Sequence, residues 1–273
     1  MAGHGYGAAP GSDILDLTAG WLDPTRVIAE TRALYDKAFD LFPDVKIYNN
    51  SWGWVYGMHE YTGIPEDLTP VFDVFKRAAD EDKLLVFAAG NHGGLAPSSP
   101  VYEGITSHRY DGHLINVVNI DAAHLDDPDH YVFKSDTTSL YDTNLGIFAP
   151  LWTLAAPGTN VPSASAGTAN ETIEMTGTSM ASPYVTGTLA LVQEAFPWMN
   201  AEQLADTVLT TATPSQSGAY ELFFYKGDSP DWQKRILTRV HGWTNFQPGS
   251  NIEDERVVIA FWGDRGQQYQ TRE

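Results

Sequence analysis

Leu84-Leu85-Val86-Phe87-Ala88-Ala89-Gly90-Asn91 is the stretch from which the architecture is read. Its first five residues are apolar without alternation, which suits a strand covered on both faces. Just before it, residues 68–83 repeat apolar side chains at threes and fours: Val71, Phe72, Val74, Phe75, Ala78 and Ala79. That spacing puts them on one face of a helix. A helix feeding a doubly buried strand is the repeating unit of parallel sheets.

The alternation extends in both directions. Asp13-Ile14-Leu15-Asp16-Leu17 reads as a short strand. Asp23-Pro24 opens a helical pattern through Val27, Ile28, Leu34, Tyr35, Ala38 and Leu41, which Pro43 ends. Residues 45–49 and 114–120 are strand-like. A helix is predicted from Gly177 to about Phe196, and another over residues 200–211. Asn200 is its N-cap, with Gln203 three residues later as in a capping box. Together these predict an α/β fold, with a mainly parallel sheet, right-handed crossovers and helices on both faces. The polar turn stretch Thr213-Pro214-Ser215-Gln216-Ser217-Gly218 marks a boundary. Beyond it, Val257-Val258-Ile259-Ala260-Phe261-Trp262 is strand-like, within an appended hairpin or the start of a second unit. No internal repeat occurs.

Composition narrows the function classes. At 273 residues and 42% hydrophobic, the chain can build one large core. It has no run of about eighteen apolar residues, the length needed to span a membrane as a helix. Sixteen basic against 35 acidic residues leave a net charge of −19, which repels nucleic acid and anionic lipid. Solubility is the plain reading of that charge, with a structural calcium site as the other. No other cofactor is implied. The absence of cysteine excludes disulfides, thiolate metal sites and cysteine nucleophiles. The first twenty residues hold no basic segment followed by an apolar one, so no signal peptide is read in this chain.

The chemistry is carried by Gly177-Thr178-Ser179-Met180-Ala181-Ser182-Pro183. Ser179 stands at the mouth of a predicted helix among small neighbours that let a substrate backbone reach its hydroxyl. The helix start offers free N–H groups and the positive end of the dipole to developing negative charge. Ala181 stands where a Gly-x-Ser-x-Gly elbow would need its second glycine, so that motif does not apply. The stretch resembles the Gly-Thr-Ser-Met-Ala-x-Pro motif of the subtilisin-like serine proteases at every fixed position. The resemblance implies that family's three-layer fold and makes Ser179 the nucleophile. It also makes Asn91, in Ala88-Ala89-Gly90-Asn91, the side chain that donates to the oxyanion. Asn49-Asn50-Ser51-Trp52-Gly53 is similar to the family's Asn-x-Ser-x-Gly segment, whose backbone pairs with substrate as an added strand. Ser51, Trp52 and Gly53 would line one wall of the substrate pocket, and Ala88, Ala89 and Gly90 the other. These mostly small walls leave room for a large apolar side chain. Ala155-Ala156-Pro157-Gly158-Thr159-Asn160-Val161-Pro162-Ser163 is similar to the segment preceding the serine motif and reads as a structural turn. The resemblance runs from residue 7 to about 213. Within the family, Phe87-Ala88-Ala89-Gly90-Asn91, Leu154-Ala155-Ala156-Pro157-Gly158-Thr159-Asn160 and Leu209-Thr210-Thr211-Ala212-Thr213 look like the passenger proteases of bacterial autotransporters.

A serine nucleophile needs a base and a group to orient it. In the family both precede the serine, as an aspartate after a strand and a His-Gly-Thr-His-Val-Ala segment. The only early histidine here is His4. Two registers compete. His4-Gly5 can be a degenerate histidine motif, or Gly7-Ala8-Ala9-Pro10 can be the family's later Gly-Val-Ala-Pro turn with a strand after it. The second fits better, because it matches the Ala-Pro dipeptide and leaves room for one helix before Asn49. Under either register no carboxylate precedes Asp13. His59, His92, His108, His113, His124, His130 and His241 read as loop or surface residues. His124, Asp126, Asp127, Asp129 and His130 read as an acidic solvated loop, not a metal site.

The expectation is therefore a serine endopeptidase acting on protein or peptide substrates, secreted or displayed on a bacterial surface. Residues 1–213 are expected to form a partial peptidase domain lacking the N-terminal Asp/His segment, a possible partner, with residues 214–273 an extension of unknown role. A non-catalytic peptide-binding module, or a structural passenger fragment of a larger surface protein, is the alternative.

Overall fold

The computed structural model describes residues 7–17, 27–53, 68–91, 97, 101, 110, 112–120, 143–144, 152–165, 171–212, 222–226 and 255–259. Strand β1 (Ile47–Asn50), β2 (Leu84–Ala88), β3 (Leu114–Ile120) and β4 (Thr153–Pro157) form a four-stranded sheet in the order β1-β2-β3-β4. All three pairings are parallel, with Leu85 opposite Tyr48 and Leu114, and Val117 opposite Leu154.

Two helical layers cover this sheet, as the unbroken apolar run of β2 predicts. Successive strand side chains point to opposite faces. Leu85 and Phe87 face helices α1 (Val27–Leu41) and α2 (Thr69–Asp80), in a core with Tyr35, Phe39, Tyr48, Val71, Phe75 and Leu114. Leu84 and Val86 face α3 (Thr178–Ala195) and α4 (Ala201–Thr211), with Ile115, Val117, Val185, Leu189, Leu204 and Val208. Arg77 joins α1 to α2, bonding Asp36 and Asp40 at 2.8 and 2.6 Å and lying over the Phe39 ring. The capping box at α4 forms as read, with Asn200 and Gln203 each bonding the other's backbone N–H.

Two readings are corrected. Residues 13–17 form no strand. Ile14 and Leu15 are 56% and 45% exposed, and no strand among the described residues pairs with this stretch; a strand exists only by its pairing. Ahead of them, the turn at Ala9-Pro10 is present, closed by Ser12 N–H donating to Ala9 O at 3.2 Å. Residues 155–163 are not simply a turn. They hold the end of β4, a corner, and β5 (Val161–Ala164), which pairs antiparallel with β6 (Thr172–Met175). Short Ala- and Pro-rich segments carry little strand signal, so these strands are set by pairing. In the C-terminal region β7 (Leu222–Lys226) and β8 (Glu255–Ile259) pair antiparallel. The boundary read at residues 213–218, the pattern's opening at Asp23-Pro24 and the acidic cluster at 124–130 lie outside the described residues. Among the described residues no group of three or more His, Asp or Glu could hold a metal ion, and no helix is long and apolar enough to cross a membrane.

Candidate active site

The four parallel strands end at one edge of the sheet, and the N-terminus of α3 meets them there. Gly177 N–H donates to Gly158 O, just past β4, at 2.8 Å. In open α/β sheets this carboxyl edge is where ligands bind.

At the end of β1 two adjacent asparagines are held from opposite faces. Asn50 is buried on the α1 side, where Tyr35 OH donates to its Oδ1 and its Nδ2 donates to Tyr48 O. Asn49 turns to α3, accepting from Ser182 Oγ at 2.9 Å and Thr186 Oγ1 at 3.1 Å. Its Nδ2 donates to Ser51 Oγ at 2.9 Å. Ser51 Oγ in turn donates to the carbonyl of Ser179 at 2.8 Å. That carbonyl is available because of Pro183. In a regular helix residue 183 would donate to residue 179, and proline has no N–H to give. The hydroxyl of Ser51 occupies the place of the missing donor. Pro183 thus ties the loop after β1 to the backbone of Ser179.

At the end of β2, residues 89–91 make a tight turn. Gly90 has φ +106°, and a Cβ there would lie 2.4 Å from Asn144 Nδ2, so only glycine fits. Gly90 N–H donates to Thr178 Oγ1 at 3.1 Å. Thr178 binds Asn91 twice, through its N–H at 2.9 Å and its Oγ1 at 3.0 Å, both donating to Oδ1. A backbone N–H can only donate, so the amide atom facing Thr178 is the oxygen. Asn91 Nδ2 is left without an acceptor among the described residues. Gly177 permits this approach, since a Cβ at its φ of +153° would stand 3.3 Å from Asn91 Nδ2.

Ser179 is the second residue of α3, where N–H groups lack intrahelical partners. Those of Met180 and Ala181 fold back onto Gly177 O, and that of Thr178 goes to Asn91. The N–H of Ser179 has no acceptor among the described residues. Two donors thus lack an acceptor among the described residues, Ser179 N–H and Asn91 Nδ2, the second on the side chain held by Thr178, whose neighbour Ser179 bears the hydroxyl. That hydroxyl donates to Ser51 O at 3.0 Å. Among the described residues no side-chain base bonds it. The one described histidine, His113, precedes β3 at the opposite edge and bonds Lys83 O through Nδ1 at 3.1 Å. His4 and the other six lie outside the described residues.

The sequence-read wall residues are divided by the fold. Ser51 and Gly90 reach the site. Ala88 and Ala89 are buried, and Gly53 is exposed. Trp52 turns its ring to the core, 5.6 Å from Phe87 and 6.4 Å from Phe75 between ring centres. Asn144 was not singled out by any motif, although it bonds the turn before Asn91 from 54 residues downstream.

The profile of the subtilase family matches residues 2–243. Among curated proteins, serotype-specific antigen 1 of Mannheimia haemolytica is 30% identical over 205 residues, 70% of this chain and 19% of that protein. The autotransporter lipoprotein NalP of Neisseria meningitidis serogroup B is 29% identical over 138 residues, 49% of this chain and 12% of NalP. An extracellular serine protease of Serratia marcescens is 28% identical over 208 residues, 67% of this chain and 19% of its own length. The chain thus spans a fifth or less of the length of these three relatives. The structure of the self-cleaved protease domain of PatA superposes with a TM-score of 0.52 at 20% identity, covering 70% of this chain and 62% of that one. At that identity the likeness is one of fold, and it agrees with the three-layer arrangement of helices about a parallel sheet.

Proposed function

The chain belongs to the subtilase family, and from that premise we propose that it supplies the nucleophile and oxyanion site of a serine endopeptidase. The observation carrying this reading is the pair of donors, Asn91 Nδ2 and Ser179 N–H, that lack an acceptor among the described residues at the N-terminus of the helix bearing the Ser179 hydroxyl. Ser179 Oγ attacks the carbonyl carbon of a peptide bond as a base removes its proton. The carbonyl oxygen takes the negative charge between the two donors, with the dipole of α3 behind them. Collapse of the tetrahedral species expels the amine, which takes the proton from the base. Water then hydrolyses the acyl-serine by the same steps. The step requires a base, and among the described residues none bonds the hydroxyl. Substrates are extended protein or peptide segments lying along residues 51–53 and 88–90. The site of action is outside the cell, as for the extracellular serine protease of Serratia marcescens.

One observation favours a second reading, a peptide-binding module: the Ser179 hydroxyl is bonded to a carbonyl and, among the described residues, not to a base. A fluorophosphonate separates the two. It phosphonylates a serine hydroxyl with loss of fluoride, and does so rapidly only when a base takes the proton. The chain alone is expected to label slowly, at Ser179. Fusing a segment with Asp-x-Gly and His-Gly-x-His ahead of Met1 is expected to accelerate the reaction, and Ser179→Ala to abolish it. No adduct at Ser179 in either form leaves the binding module as the better reading.

A further inference from the structure

We infer that Asn144 is a positioning residue that fixes the direction in which Asn91 presents its amide. The inference rests on the reading of Asn91 as an oxyanion donor. It starts from where the backbone groups of the turn go. Ala89 N–H donates to Val117 O at 2.9 Å, which holds the turn to β3. Gly90 N–H donates to Thr178 Oγ1. The two carbonyls that remain both go to Asn144. Its Nδ2 donates to Ala89 O at 3.0 Å, and its backbone N–H donates to Gly90 O at 2.8 Å.

Asn144 is only 2% exposed. Water therefore cannot take over the Ala89 carbonyl freely if the side-chain amide is lost. The contact is also tight, as the 2.4 Å separation at the Gly90 Cβ position shows. Asn144 is itself anchored behind the turn. Thr143 Oγ1 accepts from Asn119 N–H at 3.1 Å, next to the end of β3, and donates to Asn144 O at 3.2 Å.

Two grips of different kinds act on Asn91. Thr178 holds its Oδ1 directly, so the amide plane can pivot about that oxygen. Asn144 holds the backbone two and one residues earlier and removes the pivot. With both grips Nδ2 keeps one direction at the N-terminus of α3, next to Gly177. An amide is needed at 144 for two reasons. A carboxylate would meet the Ala89 carbonyl with like partial charge, and an aliphatic side chain would leave that carbonyl bare. Asn144 bonds the turn that carries Asn91, and its effect is transmitted through Asn91.

The test combines one readout that needs no reaction with one that does. In the 15N-labelled chain, the side-chain amide signals of Asn91 are assigned by their loss in Asn91→Ala. Asn144→Ala is expected to move both signals toward those of a free asparagine amide and to speed their solvent exchange. Tm reports whether the variant is folded. Fluorophosphonate labelling at Ser179 is expected to slow by about 10²–10³-fold in Asn91→Ala and at least about tenfold in Asn144→Ala. The double variant is expected to be no slower than Asn91→Ala alone. A merely structural role would lower Tm and slow labelling by the same factor in both backgrounds. If Asn144→Ala does not fold, Asn144→Ser keeps a short donor and is expected to shift the Asn91 signals part of the way. Unchanged Asn91 signals in a folded Asn144 variant, or additive labelling losses, overturn the inference. Absence of labelling in the parent chain, with the signals shifted as expected, would sink the catalytic reading and leave the amide clamp standing.

Discussion

Pro183 has an unusual task for a proline within a helix: it frees a carbonyl for another segment to bind. This gives an energetic coupling that can be measured. Ser51→Ala removes the only donor to Ser179 O among the described residues and is expected to cost about 1 kcal/mol, the net worth of one hydrogen bond. Pro183→Ala restores an N–H at that position. It is therefore expected to stabilise more in the Ser51→Ala background than in the parent chain, by roughly 0.5–1.5 kcal/mol in a double-mutant cycle read by urea unfolding. Equal effects in both backgrounds would mean that the proline and the hydroxyl do not share this carbonyl. Gly90→Ala places a methyl into Asn144 at positive φ and is expected to cost more than about 2 kcal/mol. Ser179 and Asn91 stand out in the sequence because each sits in a contiguous motif, and the structure joins the two motifs through Thr178. Asn49 and Asn144 were not legible as clamps. Their partners lie 133 and 55 residues away along the chain, and neither asparagine's neighbours, the Asn-x-Ser-x-Gly segment around Asn49 included, report which distant group it will bond.

At the scale of elements, β2 and β3 coincide with their readings because both are buried on both faces and their composition alone reports it. The helices read equally well from their apolar spacing and caps. Residues 13–17 and 155–157 read poorly for one reason: at the margin of a sheet the partner decides whether a segment is a strand, and the segment's composition does not. Phe87 is fully buried among Phe75, Trp52 and Leu85. Phe87→Ala is expected to destabilise by about 3–5 kcal/mol in chemical denaturation, and to disturb the turn that β2 delivers to the site. Asn200→Ala removes half of the capping box and is expected to cost about 1 kcal/mol without affecting labelling at Ser179. Equal losses from these two variants would contradict the assignment of Phe87 to the core.

For the whole molecule, alkaline pH tests the packing of α1 against the sheet. Burial raises the Tyr35 phenol above its ordinary value of 10.0, and burial, with the charge of Glu81 as a lesser cause, pushes Tyr48 up to about 12. Between about pH 10 and 12 the unfolded chain has released protons that the folded chain keeps. Stability should therefore fall across that window, by up to about 1.4 kcal/mol per pH unit for each tyrosine. Lys83, lowered by burial, acts in the opposite sense but only up to its ordinary value of 10.5. Tyr35→Phe and Tyr48→Phe should each flatten the fall; an unchanged slope in both would mean that neither phenol is buried. The same packing delivers three distant segments to one edge of the sheet: residues 49–51, 89–91 and 177–179. Whether that edge is an oxyanion site is decided most directly by a crystal structure of the chain phosphonylated at Ser179. The phosphonyl oxygen is expected within about 2.7–3.1 Å of both Asn91 Nδ2 and Ser179 N. An oxygen turned to solvent, with either donor beyond about 4 Å, would contradict the account.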